Sequence, residues 1–170
     1  MLKDYGATNS HKLSFAFTHL NKEGVFKKGS VNIDIGGGIY NEAEKLLKKS
    51  NAINLVYDPH NRTEEHNDKV LNIVSNKKAD TATINSVLNV IDNEVTQLKV
   101  LNQAKNTVKP NGKIFISVYQ GDKDGVGKDT IEGFQQNKKT SEYLDLIRRV
   151  FPDAMINKEI IRATNKLENK

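Results

Sequence analysis

Apolar positions in the first third of the chain alternate between two spacings. Short apolar runs at Val31–Ile35 and Ile53–Tyr57 are typical of strands. Between them, Ala43, Leu46 and Leu47 have the spacing of one face of a helix. This pattern predicts a strand, a helix and a second strand in succession.

Three consecutive glycines separate the first strand from the helix, so the chain reads Asp34, Ile35, Gly36, Gly37, Gly38. Glycine adopts backbone angles closed to other residues and lets a ligand approach the main chain closely. A helix start adds unpaired N–H groups and the positive end of the helix dipole. We therefore predict that this turn binds anionic groups of a nucleotide-like ligand. The alternative is an ordinary tight turn.

The second strand also ends in a carboxylate, Asp58, about twenty residues beyond the glycines. A carboxylate at this position can accept hydrogen bonds from both hydroxyls of a ribose. We expect Pro59 and His60 to lie beside it, His60 as a turn or ligand-contact residue. The alternative for Asp58 is a solvated aspartate before a turn.

The glycine pattern favours one ligand class over another. The dinucleotide-binding pattern has a third glycine, which would fall at position 41 of this chain. The residue there is Asn41, and this counts against NAD and FAD as ligands. Asp34, Gly36 and Gly38 instead form the pattern D-x-G-x-G, which resembles the first motif of class I S-adenosylmethionine-dependent methyltransferases. Residues 79–94 resemble that family's fourth strand and the segment after it, and residues 101–119 resemble its next helix, a Lys-Pro-x-Gly turn and its fifth strand. The resemblance covers about residues 30–119.

This resemblance implies a three-layer, Rossmann-like α/β fold with a mostly parallel sheet and an antiparallel C-terminal hairpin. It implies S-adenosylmethionine as cofactor, with S-adenosylhomocysteine as product. The cofactor-binding residues that it indicates are Asp34, Gly36, Gly37, Gly38, Asp58, Pro59, His60, Asn85, Ser86 and Val87.

We expect one departure from the family sheet. About twenty residues separate Asp58 from the strand near Ala79, and the apolar pattern there fits one helix. A full sheet would need a helix, a third strand and another helix. The third strand is therefore expected to be missing or reduced, and how adenine is held is left open.

We expect one domain over 1–170 with four parts. Residues 1–29, including a short helical segment around Phe15 and Phe17, would form a cap beside the cofactor, and 30–119 the cofactor-binding core. Residues 120–130 are predicted to be a loop that covers the reacting centre, and 131–165 a helix followed by an edge hairpin.

Few residues point to catalysis, because methyl transfer depends mainly on alignment. The chain lacks the cysteine of cytosine-C5 enzymes and the D/N-P-P-Y segment of common DNA amino-methylating enzymes. Where many relatives carry Glu-His, it has Asn89 and Val90. Tyr119 and Asp122, after the fifth strand, are the candidate catalytic residues, with packing and solvated-loop roles as the alternatives. His19 and His66 are expected on helix surfaces, and no spacing indicates metal ligands.

The net charge and the arginine content of the chain indicate which kinds of partner it could bind. The net charge of +5 would suit a polyanion, but arginine, which usually reads phosphates and bases, occurs only four times. We therefore expect a small-molecule acceptor methylated on oxygen or nitrogen. The alternatives are a nucleic-acid-modifying enzyme and a non-catalytic S-adenosylmethionine-binding protein. The absence of cysteine and of any long apolar run is compatible with a cytoplasmic protein without membrane association. The sequence does not indicate the oligomeric state.

Overall fold

The computed structural model describes residues 12–131 and 133–167. Strands and helices alternate along most of the chain, as the sequence predicts. The strands are β1 Val31–Ile35, β2 Ile53–Tyr57, β3 Ala79–Asn85, β4 Val108–Ser117, β5 Lys128–Thr130, β6 Gly133–Gln135, β7 Met155–Asn157 and β8 Ile160–Thr164. The helices are α1 Phe15–Lys22, α2 Glu42–Lys49, α3 Glu64–Asn76, α4 Glu94–Thr107 and α5 Leu144–Arg148, with 3₁₀ turns at Leu88–Val90 and Thr140–Tyr143.

A six-stranded sheet organises the described residues, in the order β2-β1-β3-β4-β8-β7. The first four of these strands are parallel, whereas β8 runs antiparallel to β4 and β7 antiparallel to β8. The turn between β7 and β8 places Lys158 and Glu159 at positive φ, the backbone of a tight two-residue hairpin. The predicted α/β class, the mostly parallel sheet and the antiparallel C-terminal hairpin are therefore confirmed.

Helices cover both faces of the sheet. On one face, α3, α4 and α5 pack against strand residues such as Ile33, Ile84 and Ile116. On the other, α1 and α2 pack against Phe115 and Ile160. Burial of these apolar side chains is the main favourable contribution to folding. The three layers leave the carboxyl ends of the parallel strands uncovered.

The third strand of the family sheet is absent, as expected. Residues 58–78, all of them described, contain only α3, so β2 forms the edge of the sheet. His66 Nε2 lies 2.7 Å from the main-chain oxygen of Val56 and therefore donates a hydrogen bond to this edge. His66 is half-buried rather than on the helix surface where the sequence placed it. Its ring supplies one of the hydrogen bonds that a neighbouring strand would make.

Most of residues 120–130 form no regular element, but the last three form a strand that the sequence does not predict. Lys128–Thr130 form β5, which pairs antiparallel with β6 to make a separate two-stranded sheet. The preceding turn is held by Asn137, whose Nδ2 donates to Val126 O (3.0 Å) and whose main-chain oxygen accepts from Gly125 N–H (2.8 Å). The sequence does not indicate β5, because this strand is short, charged and exposed and so has no alternating apolar pattern.

Candidate functional site

A large cavity opens at the carboxyl ends of β1, β3 and β4, where α/β folds bind their ligands. Its volume is about 1310 Å³. Typical pockets for one small ligand occupy roughly 300–1,000 Å³. The cavity therefore has room for two molecules side by side.

The glycine turn forms one wall of this cavity. Gly36 and Gly38 have φ values of +74° and +75°, which side chains rarely tolerate. Gly36 N–H donates to Tyr57 O at 2.8 Å, so the turn leaves β1 while still bonded to β2. A Cβ on Gly36 would lie 2.5 Å from Val87 Cγ2, and one on Gly37 would lie 2.4 Å from an Asp34 oxygen. The turn needs glycine for both its angles and its close contacts.

Asp58 is the neighbour that fixes this turn. Its carboxylate is 3% exposed and accepts from the main-chain N–H groups of Gly38 (2.9 Å), His60 (3.0 Å) and Asn61 (3.0 Å), and from Asn61 Nδ2 (3.1 Å). The Asn67 side chain bonds both the N–H and the main-chain oxygen of Asp58. An ionised carboxylate has about four lone-pair sites, and protein donors occupy all four. Asp58 does not line the cavity.

Arg62 completes the support of the turn, and the sequence analysis missed it. Its Nε donates to Gly38 O at 2.7 Å, and its Nη2 donates to Tyr40 O at 3.3 Å and to Asn41 Oδ1 at 3.1 Å. Glu44 lies 3.7 Å from the same guanidinium nitrogen. Arg62 is one of only four arginines in the chain and follows Asp58 closely, which is the one sequence signal that could have indicated it.

Asp34 lies beneath the glycine turn at the end of a chain of buried polar groups. Thr83 Oγ1 donates to its Oδ1 at 2.9 Å. Asn32 Nδ2 donates to Thr83 Oγ1 (2.9 Å) and to Asn54 Oδ1 (2.8 Å), which links strands β1, β2 and β3 on the face covered by α1 and α2. Burial raises the pKa of Asp34 to about 7, against the hydrogen bond from Thr83, which lowers it. Asp34 can therefore change its charge near neutral pH.

Asn85 presents a hydrogen-bond donor at the end of β3. Ser117 Oγ donates to Asn85 Oδ1 at 2.6 Å, which fixes the orientation of the amide. Asn85 Nδ2 is buried and has no hydrogen-bond partner among the described residues. A buried unpaired donor costs about 1–3 kcal/mol, which a ligand oxygen would relieve. Both Asn85 and Ser117 line the cavity.

The structure brings together part of the predicted set. The predicted residues that line the cavity are Asp34, Gly36, Gly37, Gly38, Asn85, Ser86 and Tyr119. The others stand behind or beside it: Val87 behind Gly36, and Asp58, Pro59 and His60 in the turn that follows β2.

Of the two candidate catalytic residues, only Tyr119 lines the cavity. The Tyr119 side chain is 64% exposed at the cavity. Asp122 does not line the cavity, and its exposed carboxylate lies 3.4 Å from Lys128 Nζ on the surface of the hairpin turn. The position of Asp122 gives no support to its predicted catalytic role.

Two further elements line the cavity: α1, which belongs to the predicted N-terminal cap, and the β5–β6 hairpin, which the sequence did not predict. Residues 1–11 of that cap lie outside the described residues. Thr130, Ile131 and Phe134 contribute from the hairpin, and Phe15 and Phe17 from α1. No group of three or more potential metal ligands occurs in residues 12–131 and 133–167. In the same ranges, no helix is long and apolar enough to cross a membrane.

Comparison with known proteins gives structural matches only. No protein-family model and no curated protein sequence matches the chain. The chain is similar to Burkholderia thailandensis 1,6-didemethyltoxoflavin-N1-methyltransferase, solved with 1,6-didemethyltoxoflavin and S-adenosylhomocysteine, with a TM-score of 0.63, 17% identity and coverage of 89% of this chain and 77% of that one. It is similar to N-methyltransferase NodS from Bradyrhizobium japonicum WM9, with a TM-score of 0.56, 10% identity and coverage of 89% and 95%.

A third similar structure is that of an rRNA methyltransferase. T. Thermophilus 16S rRNA N2 G1207 methyltransferase (RsmC), solved with AdoMet and guanosine, has a TM-score of 0.54 and 15% identity, and the match covers 94% of this chain but 45% of that one. Among the similar structures the covered share of the other chain runs from 38% to 95%. Together with the sheet order and the glycine turn, these matches show that the chain has the Rossmann-like fold of class I S-adenosylmethionine-dependent methyltransferases.

Proposed function

We propose that this protein binds S-adenosylmethionine and transfers its methyl group to an oxygen or nitrogen of a small-molecule acceptor. The observation that carries the proposal is the glycine turn between β1 and α2, which forms a cavity wall beside Asp34 in a methyltransferase fold. The cofactor, when bound, supplies an electrophilic methyl group. The cavity volume of about 1310 Å³ accommodates both reactants.

The residues present fit this cofactor. Gly36, Gly37 and Gly38 offer a main chain that a ligand can approach without meeting a side chain. Asp34 offers a carboxylate to a cationic group, and the unpaired Asn85 Nδ2 offers a donor to an oxygen. Ser86 lies beside them. Asp58 and Arg62 hold the turn in place, and ribose binding by Asp58, with contacts from Pro59, His60 and Val87, stays a sequence prediction.

The chain's contribution to the reaction is alignment and exclusion of water. Phe15, Phe17, Phe134 and Ile131 add apolar side chains to the lining of the cavity. In-line displacement benefits strongly from holding the reacting groups in register. We infer that Tyr119, which is exposed and lines the cavity, contacts the acceptor. This arrangement suits an acceptor whose nucleophile needs little help from a base.

A second function is favoured by one observation. Asn89 and Val90 stand where many family members carry Glu-His. Asn89 Nδ2 donates to Gln135 Oε1 of β6 at 3.0 Å, and its Oδ1 accepts from the main-chain N–H of Tyr119 at 3.4 Å. A protein that binds the cofactor without transferring methyl would have the same features. Modification of nucleic acid is less favoured, because all four arginines make contacts within the chain. A cytoplasmic location stays a sequence prediction.

Calorimetric titration with S-adenosylmethionine and S-adenosylhomocysteine tests cofactor binding. We expect both to bind in one-to-one stoichiometry. Release of S-adenosylhomocysteine over a panel of hydroxyl and amine acceptors then tests methyl transfer. Failure of both forms to bind would contradict the proposal, and binding without transfer to any acceptor would favour the non-catalytic function. Binding of RNA with a steep salt dependence would favour a nucleic-acid substrate.

A further inference from the structure

Exposed apolar side chains from three separate segments surround the cavity mouth. Phe15 of α1 is 51% exposed, Tyr119 after β4 is 64% exposed, and Ile131 at the hairpin tip is fully exposed. All three line the cavity, with Phe134 beside them. Apolar surface gathered at one opening is typical of a binding site rather than of ordinary surface.

The hairpin wall is held rigidly in this position. Asn89 Nδ2 donates to Gln135 Oε1 at 3.0 Å, and Gln135 Nε2 donates to Tyr119 O at 3.0 Å. The side-chain amides of Asn89 and Gln135 are therefore bonded within the chain. A Cβ on Gly127 would lie 2.5 Å from the Phe134 ring, so the ring packs directly over that glycine. Phe134 therefore both packs against Gly127 and lines the cavity.

Three charged residues line the cavity among those described. Asp34 and Glu42 flank the glycine turn, where the cofactor is proposed to bind, and Lys12 is the third. Lys12 already has an interaction partner, whereas Glu42 Oε2 is buried without a hydrogen-bond partner among the described residues. The described lining therefore offers an anionic acceptor no free cation, and burying a negative charge there would cost its hydration without compensation.

We propose that the acceptor is a planar aromatic or heteroaromatic small molecule without negative charge, bound beside the aromatic rings of Phe134, Phe15 and Tyr119. This inference rests on the proposed function and specifies its substrate class. Offset or edge-to-face ring contacts favour such a molecule beyond the burial of its area. The cofactor wall, built from the glycine turn, the start of α2 and the end of β3, takes no part in this selection.

A pair of fluorescent probes tests the charge requirement. 2-Naphthol and 6-hydroxy-2-naphthoate share a ring system and a hydroxyl group, but only the second carries a negative charge at neutral pH. Titration of each into the protein saturated with S-adenosylhomocysteine should show that 2-naphthol binds at least about tenfold more tightly. Equal or tighter binding of the naphthoate would overturn the proposal.

Three variants test the location. Phe134→Ala should weaken 2-naphthol binding at least about fivefold, and Ile131→Ser, at a fully exposed position that cannot disturb folding, should weaken it in the same direction. Val126→Ala is the matched control, since Val126 is an exposed apolar residue of the same segment that does not line the cavity. All three should bind S-adenosylhomocysteine like the wild type.

The acceptor proposal and the proposed function can be contradicted separately. Normal S-adenosylhomocysteine binding with 2-naphthol affinity unchanged in Phe134→Ala and Ile131→Ser would overturn the acceptor proposal and leave the proposed function standing. Absence of S-adenosylhomocysteine binding in the wild type would overturn the proposed function and the acceptor proposal with it.

Discussion

Gly36 shows how one residue can couple backbone conformation to ligand binding. Its φ of +74° turns the chain away from β1, and its missing side chain leaves space that Val87 fills from behind. Gly24, at the end of α1, has nearly the same φ, +75°, but nothing lies within 4 Å of its would-be Cβ. Substitutions at these two glycines therefore distinguish the effect of backbone strain from the effect of steric contact.

We predict that Gly36→Ala lowers S-adenosylmethionine affinity at least about tenfold, whereas Gly24→Ala leaves it unchanged. Both substitutions place an L residue in the left-handed region, at a cost of roughly 1–2 kcal/mol in stability. Only the first also displaces the turn, because the new Cβ collides with Val87. Calorimetry measures the affinities and urea denaturation the stabilities. Equal affinities in the two folded variants would show that the cofactor does not bind at the glycine turn.

At the scale of elements, the turn after β2 is a support for the turn after β1. Asp58 bonds the N–H of Gly38 and Arg62 bonds its carbonyl oxygen, so both sides of one peptide segment are held. This arrangement gives Asp58 a role that does not require contact with ribose. Arg62 can act only through the turn, since it does not line the cavity.

We predict that Asp58→Ala and Arg62→Ala each weaken S-adenosylhomocysteine binding at least about tenfold, because charged hydrogen bonds are worth roughly 1.5–3 kcal/mol each. The loss should be the same for the 2′-deoxy analogue of that ligand. Arg149→Ala, which removes a surface ion pair with Glu94, is the control and should have no effect.

The analogue distinguishes the two roles of Asp58. A loss in Asp58→Ala that is much larger for the ribose ligand than for its deoxy analogue would show direct bonding to the hydroxyls, as the sequence predicts. Unchanged binding of both ligands in Asp58→Ala would show that the carboxylate neither supports the turn nor binds ribose.

For the whole molecule, the buried carboxylate of Asp34 links folding to pH. Its pKa rises from 3.8 to about 7 on folding because burial disfavours the charged form. The folded protein therefore holds a proton that the unfolded chain releases between about pH 4 and pH 7. The contribution of Asp34 to stability is greatest below pH 4 and falls as the pH rises toward 7.

We predict that Asp34→Asn removes this dependence. The stability of the wild type, measured relative to Asp34→Asn by urea denaturation, should fall by a few kcal/mol between about pH 4 and pH 7 and stay level above it. Comparison with the variant cancels the other titrating groups. A constant difference across this range would show that Asp34 is ionised throughout.

Sequence by itself determined the elements whose signal is local. The strand and helix patterns of β1, α2 and β2 survive in the structure within the predicted bounds. β1 is buried on both faces, whereas α2 and β2 each bury one face, and each pattern depends on local spacing. The absent third strand was also predictable, since chain length limits what residues 58–78 can contain. The glycine turn could be predicted from the sequence because few other residues adopt a positive φ.

Tertiary structure alone decided which side chains meet. Gly38 and Asp58 are 20 residues apart, and Asn89 and Gln135 are 46 apart. Nothing in the local spacing of β5 or β6 indicates that they form a hairpin against the cavity, because their residues are few and largely polar or exposed. The sequence thus determined the main strands and helices and the glycine turn. Long-range hydrogen bonds decided how the turn is held and which other elements line the cavity.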